Sequence, residues 1–236
     1  MVTNEAIVLA GGLGTRLKGI LPDIPKSMAP VSGRPFLSYL LDNLVKEEIS
    51  KVIISVGYLK DHIISYFGYS YDSLKIEYAI ETNPLGTGGA IKSALNQTIN
   101  NEVFVVNGDT FFNPNLKEME QLHFKSGADI TLAVKYLENT SRYGKVLTDN
   151  NGRITEFKEK NSAEDDGCIN GGIYLINRRI IDDFHSEKFS VENDIFNPGC
   201  KKLHLQAFQS DAFFLDIGIP DDYNLAQALI NRVTDK

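Results

Sequence analysis

Short apolar segments alternate with helical segments through the first 136 residues of the chain. Residues 6–10 form a continuous apolar run that stops at Gly11, which is typical of a buried strand in a parallel sheet. Residues 35–48 place apolar side chains on one helical face, and residues 51–56 form the next β-branched strand. The same alternation predicts helices at residues 61–67, 87–95 and 114–125 and strands at residues 74–80, 102–106 and 129–136. This order predicts an α/β fold with a Rossmann-like, mostly parallel mixed sheet flanked by helices.

The second half of the chain is richer in predicted strands. Residues 145–148 and 153–157 flank the turn Asp149-Asn150-Asn151-Gly152, a pattern that predicts a hairpin. Further elements are predicted as strands at residues 169–176, 203–209 and 212–216, a loop at residues 161–167 and a closing helix at residues 220–233. No repeat or low-complexity linker divides the sequence, so one domain over residues 1–236 with a small β-rich region is expected.

The charge balance argues against several classes of partner. The chain carries 24 basic and 31 acidic residues, and its net charge of −7 suits neither a nucleic-acid backbone nor an anionic membrane surface. No apolar stretch approaches the roughly 20 residues that cross a bilayer, and no secretory signal is seen. Cys168 and Cys200 lack metal-ligand spacing and are expected to be free thiols. We therefore expect a cytoplasmic protein with no nucleic-acid or membrane partner, and the sequence leaves open whether it forms a homo-oligomer.

A glycine-rich loop, Gly11-Gly12-Leu13-Gly14-Thr15-Arg16-Leu17, directly follows the first predicted strand. Glycines allow backbone N–H groups to approach a phosphate, and Arg16 adds a bidentate positive charge. A purely structural strand-to-helix turn is the alternative. The loop fails the dinucleotide fingerprint GxGxxG, whose sixth position is Leu17, and it also fails the P-loop pattern. These failures argue against a nicotinamide-dependent oxidoreductase.

Lys26 follows the loop and lies between Pro25 and Pro30. Prolines restrict the backbone on both sides of this lysine. A lysine in such a rigid segment near a phosphate loop is a candidate phosphate ligand, although a solvated surface charge is the alternative.

Asp109 and Asp216 each follow an apolar run. Ligands of open α/β sheets bind outside the carboxyl ends of the strands, so Asp109 is expected on the same edge of the sheet as Gly11. Magnesium is typically bound by one or two carboxylates plus substrate phosphates, so two aspartates from separate strands could hold one Mg²⁺ ion. For Asp109, a helix cap is the alternative.

These motifs, in this order and spacing, resemble the sugar-nucleotidyltransferase family. Asn107-Gly108-Asp109 and residues 216–223 are similar to its two metal-binding aspartate motifs, whereas Ser27 stands where the family usually has proline. The resemblance implies a nucleotide-diphospho-sugar transferase fold, Mg²⁺ at Asp109 and Asp216, and catalytic contacts from Arg16 and Lys26 to the nucleotide phosphates. The nucleotide-binding residues that it implies are Leu9, Gly11, Gly12, Gly14, Thr15, Arg16, Lys26, Glu81, Pro84, Gly86, Thr87 and Gly108.

The same resemblance places a sugar phosphate at the β-rich region. Glu159 and Lys160 match a Glu-Lys pair whose lysine grips the sugar phosphate and whose glutamate binds a sugar hydroxyl. A solvated strand edge with alternating charges is the alternative. The other implied sugar-pocket positions are Tyr143, Gly144, Asn170 and Gly171. The sugar phosphate is already anionic, so it would attack the α-phosphorus of the nucleotide and release pyrophosphate without a general base.

Glu81 bears on the choice of base, because a carboxylate can accept hydrogen bonds from both the N1–H and the 2-amino group of guanine. An exposed glutamate at a strand end is the alternative. Residues 84–92 and the other motifs look closest to D-glycero-α-D-manno-heptose 1-phosphate guanylyltransferases, a likeness that runs from about residue 7 to residue 223. The resemblance therefore implies GTP and this sugar 1-phosphate as substrates. A uridylyltransferase acting on N-acetylmuramate 1-phosphate or another hexose 1-phosphate, and a non-catalytic nucleotide-sugar-sensing subunit, remain alternatives.

Overall fold

The structure, a computed structural model, describes residues 3–12, 21, 23–158 and 165–234. These residues contain fourteen strands in chain order: β1 (Glu5–Leu9), β2 (Pro30–Val31), β3 (Arg34–Pro35), β4 (Lys51–Val56), β5 (Ser70–Tyr71), β6 (Leu74–Ile80), β7 (Glu102–Asn107), β8 (Thr110–Phe112), β9 (Ile130–Leu137), β10 (Lys145–Thr148), β11 (Ile154–Lys158), β12 (Gly167–Asn177), β13 (Leu205–Gln209) and β14 (Phe214–Asp216).

The helices of the same residues lie mostly between these strands. They are α1 (Phe36–Lys46), α2 (Lys60–Phe67), α3 (Gly86–Leu95), α4 (Leu116–Ser126), α5 (Arg179–Asp182), α6 (Asn197–Gly199), α7 (Pro220–Thr234), a 3₁₀ helix (Lys26–Met28) and a π-helix (Val191–Phe196). None of the described helices is long and apolar enough to cross a membrane. The two cysteines are free thiols, as predicted.

Ten strands form one mixed sheet. Eight of them follow the order β11-β10-β12-β7-β1-β4-β6-β5, β9 pairs with β12, and β13 pairs with β9. The strands β7, β1, β4 and β6 run parallel at its centre. The chain moves outward from β1 to β4 and β6, and α3 then returns it to β7 on the other side of β1. The order of the strands therefore reverses between β1 and β7, which is where open α/β sheets form their ligand crevice.

Both faces of β1, β4 and β7 are buried, which explains why β1 reads as a continuous apolar run. Ala6 and Val8 point into a core shared with α1, α2, α4 and α7. Ile7 points to the opposite face, where it packs with Ile91 and other side chains of α3, α5 and the π-helix. The predicted α/β sheet with helices on its faces is confirmed.

The β-rich second half extends the sheet with antiparallel strands. The predicted hairpin forms between β10 and β11, and β12 pairs with β7, β9 and β10. Of the predicted loop at residues 161–167, residues 161–164 lie outside the described part of the chain. The division into one domain stays a prediction.

One predicted strand pairs differently from the others. Residues 214–216 form β14, which pairs with β8 in a separate two-stranded sheet rather than with the main sheet. Aromatic pairs hold this register, with ring centroids 5.9 Å apart for Phe112 and Phe214 and 6.1 Å apart for Phe111 and Phe213. β8 was missed because its three residues offer too short a pattern.

Candidate active site

A pocket of about 580 Å³ opens at the carboxyl ends of the parallel strands. Four chain segments meet there, following β1, β4, β6 and β7. The lining residues are Leu9, Gly11, Gly12, Gly57, Tyr58, Glu81, Thr82, Asn83, Pro84, Gly86, Thr87, Ala90, Asn107 and Asp109. The pocket is thus at the point where the strand order reverses, as expected for a ligand site of this fold.

Many predicted nucleotide-binding residues lie in this lining. They are Leu9, Gly11, Gly12, Glu81, Pro84, Gly86 and Thr87, with the predicted metal ligand Asp109 beside them. Gly14, Thr15 and Arg16 lie outside the described residues. Gly108 lies behind the wall, where its N–H donates to the Leu9 carbonyl at 3.0 Å and a Cβ would lie 2.5 Å from that oxygen.

The sequence interpretation missed one wall of the pocket. Gly57 and Tyr58 line it directly after β4. The rule that selected Asp109, that a polar or glycine position after a buried strand faces the ligand edge, applies equally to the end of β4. Asn107, the last residue of β7, was treated only as part of a metal motif, yet it also lines the pocket.

Close packing at the base of the pocket requires glycine at position 11. A Cβ on Gly11 would lie 2.5 Å from Oε1 of Glu81, and a Cβ on Gly57 would lie 3.3 Å from the Gly11 carbonyl oxygen. The segments after β1, β4 and β6 therefore meet with almost no space between them, which brings the Glu81 carboxylate against the glycine loop.

The Glu81 carboxylate is held at both oxygens. The Ser55 hydroxyl donates to Oε1 at 2.9 Å, and the Leu85 backbone N–H donates to Oε2 at 3.2 Å. A carboxylate offers about four lone-pair sites, so each oxygen can accept a second hydrogen bond. The arrangement can therefore present a fixed pair of acceptors to a ligand with two adjacent donors.

The glycines at the start of α3 serve packing as well as access to the pocket. Gly86 has φ +74°, and a Cβ there would lie 2.5 Å from the Phe189 carbonyl oxygen. That oxygen accepts from the Gly88 N–H at 3.0 Å, so it satisfies a free donor of the helix start. The Thr87 hydroxyl donates to Glu192 of the π-helix at 2.6 Å. The end of α3 that faces the pocket is thus fixed to the segment 187–192.

Lys26 joins the two predicted metal ligands. Its ammonium lies 2.7 Å from Oδ2 of Asp109 and 3.8 Å from Oδ1 of Asp216. The Ile217 N–H donates to the Asp109 carbonyl at 3.1 Å, which ties β14 to the turn after β7. Burial, followed by the negative charge of Asp109, raises the pKa of the Asp216 carboxyl. Two carboxylates on different elements thus converge on a site that demands positive charge.

This pair suits a metal ion that completes its coordination elsewhere. Among the described residues, His, Cys, Asp and Glu do not form a cluster of three that could bind a metal by themselves. Magnesium needs only one or two carboxylates when substrate phosphates and water supply its other oxygens. Asp109 and Asp216 therefore fit a Mg²⁺ ion that arrives with a phosphate ligand.

Of the predicted sugar-side residues, Tyr143 contacts β14. The Tyr143 ring packs edge-on against Phe214 at 5.8 Å, and burial with the nearby Asp216 charge raises the Tyr143 pKa to about 12. Gly144 approaches the carbonyl of Lys158, to which a Cβ would lie 2.8 Å away. Tyr143 therefore lies on the Asp216 side of the pocket, while Gly144 contacts the end of β11. Glu159 and Lys160 come next in the chain but lie outside the described residues.

Asn170 and Gly171 both contact other residues of the protein. Asn170 donates to the Tyr174 hydroxyl at 2.9 Å and accepts from the Gly172 N–H at 2.9 Å. The space that a Cβ of Gly171 would occupy is filled by the Phe112 ring, 2.5 Å away. Gly171 therefore makes room for Phe112, and Asn170 already uses one N–H and its side-chain oxygen in hydrogen bonds within the protein. The contact of these two residues with a sugar stays a prediction.

An ion pair near Tyr143 was not foreseen from the sequence. The Arg142 guanidinium makes two hydrogen bonds to the Asp222 carboxylate in the first turn of α7, and it lies 5.6 Å from the Tyr143 ring centroid. The partners are 80 residues apart, and no local pattern marks them as a pair.

Comparison with known proteins gives consistent matches over the whole chain. A family model described as "Nucleotidyl transferase" matches residues 5–232. The chain is 46% identical to the D-glycero-alpha-D-manno-heptose 1-phosphate guanylyltransferase of Aneurinibacillus thermoaerophilus, covering 94% of this chain and 96% of that protein. It is 44% identical to the enzyme of the same name from Campylobacter jejuni, covering 93% and 96%. The crystal structure of HddC from Yersinia pseudotuberculosis complexed with GMP-PN is 35% identical and superposes with a TM-score of 0.86 over 97% of this chain and 100% of that one.

Proposed function

The chain belongs to the nucleotidyl transferase family, and from this premise we propose that it joins GTP to D-glycero-α-D-manno-heptose 1-phosphate, giving a GDP-heptose and pyrophosphate. The fixed Glu81 carboxylate in the wall of the pocket carries the choice of guanine, because it offers two adjacent acceptors to the N1–H and the 2-amino group. The two guanylyltransferase relatives support the choice of sugar, since each is covered over nearly its whole length.

The reaction is a substitution at phosphorus. An oxygen of the sugar 1-phosphate forms a bond to the α-phosphorus of GTP, and the bond from that phosphorus to the bridging oxygen of the β-phosphate breaks. Pyrophosphate leaves with the electron pair, and no proton needs to be removed from the anionic attacking oxygen. The protein therefore contributes by positioning the substrates and stabilising negative charge.

We assign the positive charges in the site as follows. Lys26 serves the nucleotide phosphates, because it is held beside the pocket by Asp109. Arg16 serves the same phosphates from the glycine loop, and Lys160 serves the sugar phosphate. Asp109 and Asp216 would hold Mg²⁺, which when bound neutralises phosphate charge and polarises the phosphoryl oxygens.

The sugar would lie between β11, β12 and β14. Tyr143 and Gly144 approach this region beside Asp216, and Asn170 and Gly171 back it from β12. Glu159 would bind a sugar hydroxyl next to Lys160. In this proposal the sugar phosphate would lie on the side of Asp109 and Asp216 away from Glu81 and the base.

The direct test is an activity matrix of four nucleoside triphosphates against a panel of sugar 1-phosphates, with pyrophosphate release as the readout. We expect the highest kcat/KM for GTP with D-glycero-α-D-manno-heptose 1-phosphate. A clear preference for UTP would instead assign the chain as a uridylyltransferase. Nucleotide binding with no pyrophosphate from any combination would indicate a non-catalytic sensing subunit.

A further inference from the structure

Ser55 is the one polar residue in the apolar part of β4, residues 52–56. Strand β4 reads Lys-Val-Ile-Ile-Ser-Val, and the Ser55 side chain is fully buried. Burying a hydroxyl without a hydrogen-bond partner is costly, so a serine at this position needs a specific acceptor. The proposed nucleotidyl transfer does not use this hydroxyl.

The register of the sheet places Ser55 beneath the pocket. Ser55 is aligned with Leu9 of β1, and Leu9 is aligned with Asn107 of β7. Aligned residues of neighbouring parallel strands point to the same face of a sheet. Leu9 and Asn107 both line the pocket. The Ser55 hydroxyl therefore lies on the same face of the sheet as these two side chains, beneath the segment that begins with Glu81.

The acceptor of this hydroxyl is the Glu81 carboxylate. The Ser55 Oγ to Glu81 Oε1 distance is 2.9 Å, shorter than the 3.2 Å from the Leu85 N–H to Oε2. Glu81 follows the last residue of β6, so its backbone is fixed by the sheet, and its N–H donates to the Val56 carbonyl at 2.8 Å. The rotation of its side chain is then controlled by these two donors and by the glycines beside it.

We propose that Ser55 is a positioning residue for base selection, which holds Glu81 in the orientation that accepts from both N1–H and the 2-amino group of guanine. This inference rests on the proposed function. A carboxylate that is free to rotate can still accept one hydrogen bond, but it loses the two-point contact that distinguishes guanine from hypoxanthine. Ser55 therefore sets the selectivity between GTP and ITP, and it has no part in binding the sugar.

The test is Ser55→Ala, with kcat/KM measured for GTP and for ITP at saturating sugar 1-phosphate. We expect the GTP-to-ITP ratio to fall by about three- to tenfold, the size of effect that the loss of one hydrogen bond produces. The KM for the sugar 1-phosphate should stay unchanged. Ser38→Ala is the matched control, because Ser38 is equally buried in α1 and far from Glu81, and it should leave the ratio unchanged.

A ratio in Ser55→Ala equal to that of the native protein would overturn this role for Ser55. If Ser55→Ala fails to fold, Ser55→Cys replaces it, because the thiol keeps the shape but donates only weakly, and the same fall in the ratio is expected. Binding of GMP and IMP by calorimetry gives the comparison without turnover. A native protein that uses GTP and ITP equally would contradict the two-point contact of Glu81 itself, so the failure of the proposed function is distinguishable from the failure of this inference.

Discussion

The Asp216 carboxylate is unfavourable for the stability of the metal-free protein, and it is a proposed metal ligand. Its carboxyl is mostly buried and lies near a second aspartate, and both effects raise its pKa above the ordinary value of 3.8. A carboxyl whose pKa is raised on folding is stabilising when protonated, and that stability is lost as the pH rises through the folded-state pKa. At neutral pH the ionised Asp216 therefore destabilises the metal-free protein, while its charge suits a cation.

We expect Asp216→Asn to separate these two effects. Without metal, the variant should have a higher Tm than the native protein at pH 7, and the difference should shrink as the pH falls towards the pKa of free aspartate. With Mg²⁺ and both substrates, its turnover should fall at least tenfold, or about 1.4 kcal/mol of transition-state stabilisation. Thermal denaturation in a chelator and pyrophosphate release measure the two quantities.

Asp221→Asn is the control, because Asp221 is exposed in the first turn of α7. It should change neither the Tm nor turnover appreciably. Near-normal turnover of Asp216→Asn at limiting Mg²⁺ would remove Asp216 from the metal site.

The two lysines should affect different substrates. Lys26→Ala is expected to raise the KM for GTP more than that for the sugar 1-phosphate, because Lys26 contacts Asp109 at the edge of the pocket. Lys160→Ala should instead raise the KM for the sugar 1-phosphate more than the KM for GTP. Steady-state kinetics with each substrate varied at saturation of the other measures both, and Lys158→Ala, two residues before Lys160, serves as the control. A larger loss of GTP affinity in Lys160→Ala would reverse the assigned positions of the two substrates.

Single residues at strand ends were accessible to sequence reasoning, whereas their partners were not. Asp109 comes soon after the buried apolar strand β7, and Glu81 directly follows the alternating strand β6; both patterns are local. The Ser55–Glu81 contact joins residues 26 apart, and the Arg142–Asp222 contact joins residues 80 apart. Such pairs depend on which strands are neighbours and on loop paths, and a single sequence does not specify either.

At the scale of elements, the loop that carries Tyr143 is fastened to α7. Arg142 bonds the Asp222 carboxylate, and α7 begins four residues after Asp216. The loop proposed to approach the sugar and the segment that follows the proposed metal ligand Asp216 are therefore connected through one partly exposed ion pair. Phe214 supplies a second, apolar contact between them.

Breaking this ion pair should weaken sugar binding. We expect Arg142→Ala and Asp222→Ala each to raise the KM for the sugar 1-phosphate by roughly threefold or more while the KM for GTP changes less, and the double variant to be no worse than either single one. A double-mutant cycle on kcat/KM measures this coupling. The ion pair between Arg34 of β3 and Asp42 of α1 is the control, since its removal should leave both KM values unchanged. Additive effects of Arg142→Ala and Asp222→Ala would show that the pair does not act as a unit.

Elements with long, regular patterns were predicted well, and short ones were not. Strands β1, β4 and β7 agree with expectation within one or two residues, because both of their faces are almost entirely apolar. The π-helix (Val191–Phe196) had no such signal: its start is set by Ser190, whose side chain accepts from the Asn193 N–H, and by the contact with Thr87. Of the glycines of α3, only Gly86 was predicted to contact the nucleotide, and nothing in the sequence indicated that Gly88 and Gly89 make room for the segment 187–189.

At the scale of the whole molecule, the fold brings distant segments to one edge of the sheet. The segments after β1, β4, β6 and β7 form the pocket, and β14 adds the second carboxylate from outside the main sheet. The class of fold and this edge follow from strand–helix alternation. The placement of β14 does not, because its pairing with β8 depends on aromatic contacts between segments about one hundred residues apart.

In the proposed reaction the guanylyl group of GTP moves to the sugar phosphate. This transfer is tested most directly by incubating the protein with Mg²⁺, D-glycero-α-D-manno-heptose 1-phosphate and GTP labelled at the α-phosphorus, and by separating the products. We expect the label in GDP-heptose and none in pyrophosphate, and GTP labelled at the γ-phosphorus should give labelled pyrophosphate. Guanylyl transfer would be contradicted if the label from the γ-phosphorus appeared in the sugar product. It would also be contradicted if the α-label remained in GTP while UTP supported the reaction.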